Sequence, residues 1–327
     1  MFWEMVLCIV LLIVGMALLI KGADWFVEGA SALAKAMHIP SLVIGLTLVS
    51  IGTSMPEFSL SLTSSIQGLN DMSFGNIIGS NIFNTFVVIG VSAVLTPLVV
   101  SKDMQKYDIP ILVGIYALLA LFSFVITPNT INIWESIILF AITFIYTGFL
   151  IFRSRKEIAE EKAKGEVVEE GKKKRKWYIN LLLVAIGLAG IIFGGDLVVD
   201  NAAKFAKQLG MSELLVGLTI VAVGTSLPEL VTSIVAAKKG ENDIAIGNAI
   251  GSCLFNVVLI LGLCSTIAPA AVATSSLVDV VVMILSAVVV FVFSLKSKQV
   301  NRWQGIVMVM IYACYLTFII LRDTGVL

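Results

Sequence analysis

Apolar residues fall along the chain in runs of about twenty, the length an α-helix needs to cross the hydrocarbon of a bilayer. Such runs lie at about 3–22, 42–66, 73–98, 109–127, 132–152, 177–199, 214–237, 244–267, 275–295 and 302–321. The pattern predicts ten transmembrane helices, five on each side of a charged stretch, 153–176, that contains EKAKGEVVEEGKKKRK. That stretch is too polar to cross and too short to form a domain, so it reads as a linker between a first five-helix half, 1–152, and a second, 177–327. The first run has no basic flank and no clear cleavage site, and is expected to be a spanning helix and not a signal peptide.

The two halves are related. Residues 42–90, LVIGLTLVSIGTSMPEFSLSLTSSIQGLNDMSFGNIIGSNIFNTFVVIG, align without a gap to residues 214–262, LLVGLTIVAVGTSLPELVTSIVAAKKGENDIAIGNAIGSCLFNVVLILG, and 22 of the 49 positions are identical. The same offset of 172 places Gly22-Ala23-Asp24 on Gly194-Gly195-Asp196. Because five is odd, the second half must enter the membrane from the opposite side. The expected fold is therefore an all-α polytopic membrane protein with two inverted five-helix repeats, a common transporter architecture.

Composition agrees with a lipid environment: the chain is 58% hydrophobic and 13% charged, with a mean hydropathy of +1.02. Its formal net charge is zero, and no nucleic-acid partner is expected. The placement of charge says more than its sum. If the linker is cytoplasmic, 19 of the 22 basic residues fall on that side, only Lys204, Lys207 and Arg322 lying elsewhere, and both termini are extracytoplasmic. A multi-pass protein of the cell membrane is the expectation. The four cysteines sit in apolar runs without metal-binding spacing and read as small apolar residues.

Each repeat carries a carboxylate in mid-span, Glu57 and Glu229, directly after Gly-Thr-Ser-x-Pro. Pro56 and Pro228 have no N–H to give, so carbonyls one turn earlier lose their helical partners. Free carbonyls inside a bilayer are tolerated only against protein or a watery cavity. An intramembrane acid is costly and functional by default. Two, at matched positions and each beside a broken turn, suit a dehydrated cation better than a mere kink. The next helix of each repeat carries Gly75-Asn76-x-x-Gly79-Ser80 with Asn84, and Gly247-Asn248-x-x-Gly251-Ser252 with Asn256. The glycines suit close helix packing. Ser80 with Asn84, and Ser252 with Asn256, share a face at i and i+4 and offer hard oxygen ligands. Asp24, Glu28, Asp196 and Asp200 read as solvated interface charges, and Asp71 and Asp243 as helix N-caps.

These paired GTSxPE and GNxxGSxxxN segments resemble the two α-repeats of the sodium/calcium exchangers, within the cation/calcium antiporter superfamily, over nearly the whole chain. The resemblance implies a secondary antiporter with helices 2 and 7 broken at the ion site. Glu57 and Glu229 would be shared Ca²⁺ and Na⁺ ligands, assisted by the carbonyls of Thr53 and Thr225. Ser50, Thr53, Glu57 and Ser80 would form one Na⁺ site, and Ala222, Thr225, Glu229 and Ser252 its counterpart. Ser54, Ser226, Asn84 and Asn256 would complete the centre. Asn256 is neutral where some relatives have Asp, and Cys253 stands where Asn is usual. With two acids and two neutral amides, one Ca²⁺ would balance the site, and the family's three Na⁺ would carry one surplus charge, making exchange electrogenic.

Alternating access then requires moving elements, for which the weakly polar first and sixth helices are the candidates. No cofactor is expected besides the transported ions, and no obligate protein partner is evident beyond the bilayer itself. The chain lacks a P-loop, a Ser/His/Asp set and HExxH, which argues against a pump or an intramembrane enzyme. A proton-coupled cation antiporter and a passive cation channel remain as alternative functions.

Overall fold

A computed structural model describes residues 2–164, 176–209 and 222–323. Its helices are α1 (Phe2–Met37), α2 (Ser41–Thr53), α3 (Met55–Ile66), α4 (Asp71–Leu95), α5 (Met104–Ile126), α6 (Ile133–Lys164), α7 (Trp177–Gln208), α8 (Leu227–Lys238), α9 (Asn242–Ile267), α10 (Ser276–Ser297) and α11 (Arg302–Asp323). Among the described residues, eight helices are long and apolar enough to span a membrane, or nine if α2 and α3, bent by 50° at Ser54, are one span. The run expected over 214–237 is described from 222 onward, as a short turn, Ala222–Gly224, followed by α8.

Burial sorts these helices into two layers. In α4 and α9, 83% and 78% of the span is buried, against 17–39% in the other spanning helices. So α4 and α9 form the protein's interior, and the others present apolar side chains such as Ile13, Phe144, Phe193 and Leu285 outward, where lipid covers them. Two short antiparallel strand pairs tie the halves together: Leu98–Val99 with Gln299–Val300, and Thr130–Ile131 with Ala270–Ala271.

The first and sixth expected helices both run well beyond the predicted ends at 22 and 199. Charges such as Lys21, Asp24 and Asp196 lie on the helix without interrupting it, because a charged side chain does not end a helix as a missing N–H does. α1 stops where His38 turns left-handed (φ 55°), ahead of Pro40. α1 and α7 pack antiparallel with glycines in contact: a Cβ on Gly22 would lie 2.6 Å from the Ile191 nitrogen, and one on Gly187 2.5 Å from the Phe26 nitrogen. Backbones approach this closely only where side chains are absent.

Two further expectations are corrected. Asp71 and Asp243 lie in the first turns of their helices and make no capping bond; Leu69 and Glu241 precede them. The left-handed residues Gly68 (φ 74°) and Gly240 (φ 78°) set the turn instead, and the acids complement the helix N-terminus. Arg153, expected as the first linker charge, belongs to α6, which runs on to Lys164, and is buried against Asp108 at 3.0 Å. Residues 165–175 of the expected linker lie outside the described residues.

Candidate functional site

The Gly-Thr-Ser-x-Pro segments break their helices as proline requires. Ser54 (φ −82°, ψ 10°) and Ser226 (φ −92°, ψ 7°) sit in the sparsely populated bridge region, each followed by a new helix with proline in its first turn. The hydrogen-bond ladder resumes with Phe58 N–H on the Ser54 carbonyl at 3.0 Å and Leu230 N–H on the Ser226 carbonyl at 3.2 Å. Glu57 and Glu229 thus stand at helix N-termini, where the peptide dipoles favour negative charge. Both are fully buried.

The two broken turns address each other. Ser54 Oγ donates to Glu229 Oε1 at 2.7 Å, and Ser226 Oγ donates to Glu57 Oε1 at 2.9 Å. Ser252 Oγ lies 3.4 Å from both Glu229 Oε1 and the Ser50 carbonyl. The Ser50 hydroxyl turns back onto the Leu46 carbonyl at 2.8 Å, so the carbonyl is the group Ser50 presents. Thr53 Oγ1 donates to Asn248 Oδ1 at 3.0 Å. These bonds join Ser50, Thr53, Ser54, Glu57, Ser226, Glu229 and Ser252, and Ser80, Asn84 and Asn256 are buried on the helices packed against those that carry the acids. Thr225 is half-buried at the second break, and Ala222 opens the short turn before it.

What this centre leaves unpaired is chemically informative. Glu57 Oε2, Glu229 Oε2, Ser80 Oγ, Thr225 Oγ1, Asn256 Oδ1 and both polar atoms of Asn84 are buried without a hydrogen-bond partner among the described residues. A buried polar group left alone costs about 1–3 kcal/mol, more if charged, and native proteins rarely tolerate several together. Six of these seven atoms are oxygens, two of them from carboxylates. That donor set suits a hard cation with flexible coordination, such as Ca²⁺, and lacks the nitrogen or sulfur ligands that softer metals prefer. No group of three or more His, Cys, Asp or Glu residues that could hold a metal ion is present among the described residues.

Several features escaped sequence reasoning. Asn76 Nδ2 donates to the Glu57 carbonyl at 3.3 Å and to Ser61 Oγ at 2.9 Å, and Asn248 repeats this on Glu229 at 3.2 Å and on Ser233 at 2.9 Å. These asparagines tie α4 and α9 to the helices bearing the acids. Their signal was in the sequence, as the first Asn of each GNxxGS. Each centre helix also contains a π-helical turn beginning at its candidate ligand, Asn84–Val88 and Asn256–Leu261. Such turns recur at functional sites and leave no trace in hydropathy.

A second repeated constellation lies away from the centre. Tyr146 and Arg153 of α6 grip Asp108 of α5 at 3.0 Å each, and Tyr315 and Arg322 of α11 grip Asp279 of α10 at 3.0 and 3.2 Å. The tyrosine and arginine are seven residues apart both times, two helical turns on one face. These triads brace adjacent outer helices. The expected close packing through glycines holds for α9, where a Cβ on Gly251 would lie 2.7 Å from the Leu46 carbonyl oxygen, and not for α4, where a Cβ on Gly75 or Gly79 would meet nothing within 4 Å.

Comparison with known proteins follows the same division of the chain. The family profile described as sodium/calcium exchanger protein matches residues 7–152 and 179–321. The sodium/calcium exchanger MaX1 of Methanosarcina acetivorans is 34% identical over 94% of this chain and 96% of its own. The inner membrane protein YrbG of Escherichia coli is 35% identical over 93% of this chain and 94% of its own. A solved structure of the sodium-calcium exchanger NCX_Mj superposes with a TM-score of 0.82 at 31% identity, covering 96% of this chain and 99% of that one.

Proposed function

The chain belongs to the sodium/calcium exchanger family, and from that premise we propose that it exchanges Na⁺ for Ca²⁺ across the cell membrane by alternating access, with net movement of charge. The partnerless buried atoms around Glu57 and Glu229 support this reading most directly, because bound cations would give these oxygens the partners they lack. Glu57 and Glu229 are the shared ligands, with the carbonyls of Thr53 and Thr225. Ser50, Ser54 and Ser80 serve on one side, Ala222, Ser226 and Ser252 on the other, and Asn84 and Asn256 at the centre. Ca²⁺ and Na⁺ compete for the same two carboxylates, so loading with one ion set expels the other. One Ca²⁺ cancels two carboxylates, and three Na⁺ leave one positive charge.

The fuller architecture is part of the same proposal: ten spans in two inverted repeats, 1–152 and 177–327, a cytoplasmic linker at 153–176 and extracytoplasmic termini. The antiparallel seating of α1 on α7 and the crossed serine bonds between the breaks support the inversion. α1 and α7 are the elements that slide past the fixed centre, exposing it first to one side and then to the other.

The test is transport in reconstituted vesicles. Ca²⁺ uptake driven by an outward Na⁺ gradient, accelerated by an inside-positive potential because one net positive charge leaves with each Ca²⁺ taken up, is the expected result. Uptake driven by a pH gradient alone would replace it with proton coupling, and uptake that needs neither gradient would mark a passive channel.

A further inference from the structure

Positions 81 and 253 correspond through the repeat, and they are a place at the centre where the two halves differ in chemistry: Asn81 in α4 faces Cys253 in α9. Both are fully buried. Asn81 Nδ2 donates to the Cys253 carbonyl at 3.2 Å, with Met283 Sδ at 3.8 Å, so its amide orientation is fixed and its Oδ1 remains an acceptor. Asn256 Nδ2 donates to that Oδ1 at 3.0 Å. The second bond fixes Asn256 in turn: with its nitrogen committed, the atom left over is Oδ1, which is one of the partnerless atoms of the centre.

The mirror-image chain does not exist. Asn84, the counterpart of Asn256, would need an amide oxygen at position 253, and a thiol is a poor acceptor. The Cys253 sulfur is already engaged, 3.6 Å from the Asn81 carbonyl and 3.6 Å from Thr85 Oγ1. Both polar atoms of Asn84 consequently lack a partner.

We infer that Asn81 is a positioning residue that holds Asn256 with its oxygen toward the ion, and that Cys253 leaves the Asn84 amide free to turn, giving the site one fixed and one adjustable ligand. This rests on the exchange reading above. A fixed oxygen lowers the ordering cost of binding. A free amide can turn its Oδ1 onto a cation as the site loads and off it as the site empties, with no hydrogen bond of its own to break, which suits a site that must load and unload on every cycle.

The experiment measures Na⁺-driven Ca²⁺ uptake in vesicles, with KM and kcat separated, beside equilibrium ⁴⁵Ca²⁺ binding to the purified protein. Asn81→Cys should raise the Ca²⁺ KM and the dissociation constant by about tenfold, the worth of one hydrogen bond, with kcat nearly unchanged. Cys253→Asn supplies the missing acceptor and should tighten Ca²⁺ binding several-fold while slowing kcat, because the ion leaves a stiffer site. Cys253→Ser, a smaller change, should lie between. In the double exchange Asn81→Cys with Cys253→Asn, the fixed amide moves from Asn256 to Asn84, and KM should return to within about threefold of the original. Unchanged KM in both Asn81→Cys and Cys253→Asn, or a double variant no better than Asn81→Cys, overturns the inference. If Asn81→Cys does not accumulate in membranes, the Cys253 pair decides alone by the same criterion. Loss of Na⁺-driven uptake in the unsubstituted protein would overturn the exchange reading instead, a result separable from both.

Discussion

The centre of the molecule and one of its rims treat the internal repeat in opposite ways. Around the two acids the serine and asparagine contacts come in matched pairs: Ser54 with Glu229 and Ser226 with Glu57, Asn76 with Ser61 and Asn248 with Ser233. At the end of α1 the bonds are one-sided. Lys239 reaches Asp24 at 2.7 Å, Lys35 reaches Glu241 at 3.1 Å, and Ser31 Oγ donates to Glu241. The corresponding positions in the first repeat are Gln67 and Leu69, which can form neither ion pair. Under the proposed alternating access, a pocket that takes the same ions from either side gains from symmetry. A rim gains from its absence, because unequal rims bias which side is open.

The sharpest way to break the comparison is at the two acids. Glu57→Gln and Glu229→Gln should each reduce Na⁺-driven Ca²⁺ uptake by ~100-fold or more, since each leaves the other charge and the ion without half their compensation. Equal loss in both variants, measured by initial rates in vesicles, is the expected outcome. A variant that kept wild-type exchange would remove that residue from the site.

Next in size are the crossed serines. A hydrogen bond to a charged group is worth about 1.5–3 kcal/mol, so Ser54→Ala and Ser226→Ala should each weaken Ca²⁺ by roughly 10–100-fold. The informative quantity is their ratio. Values within about threefold of one another, by ⁴⁵Ca²⁺ binding, would agree with exchanged roles, and a larger difference would mean that the half around Ser54 and the half around Ser226 bind differently.

The α1–α7 contact comes third. At Gly22 and Gly187 an added methyl meets backbone nitrogens at 2.6 and 2.5 Å, which no rotamer change relieves. Overpacking costs about 1–3 kcal/mol. Gly22→Ala and Gly187→Ala should therefore lower turnover by roughly tenfold while equilibrium Ca²⁺ binding, which depends on other helices, stays near normal. Weakened binding with normal turnover would mean that these helices shape the site and do not gate it.

The same contrast explains what the sequence could reveal. The repeat, the acids and the proline breaks were legible because each violates the rules of lipid: a charge or a lost N–H inside an apolar run stands out against its background. Helix ends were not, since Lys21 or Asp196 at a bilayer edge leaves a helix intact and only its surroundings change. Arg153 was misplaced for a related reason, because its partner Asp108 lies 45 residues away. Asn76 and Asn248 were visible as letters but not as struts, their role depending on which helix passes beside them. The π turns at Asn84 and Asn256 follow from backbone register, which side-chain polarity does not encode.

The smallest expected effect belongs to the rim, and it tests the asymmetry itself. Lys35 is largely exposed, Lys239 and Asp24 are about a third exposed, and such pairs contribute roughly 0.2–1 kcal/mol each, screened by salt. Lys239→Gln with Glu241→Gln should thus shift the balance between the two access states by no more than about tenfold, with Ca²⁺ binding at the centre unchanged. Accessibility of single cysteines introduced on either face, read with a membrane-impermeant thiol reagent in a background lacking the native exposed Cys314, measures that balance. The shift should shrink in high salt for the original protein and vanish in the variant. Building the missing pairs on the opposite end, Gln67→Lys with Leu69→Glu, should move the balance the other way, because Asp196 and Lys207 of α7 occupy the positions of Asp24 and Lys35 in the repeat. A shift in the same direction from both manipulations would mean that these charges act on stability alone and that the access bias arises elsewhere.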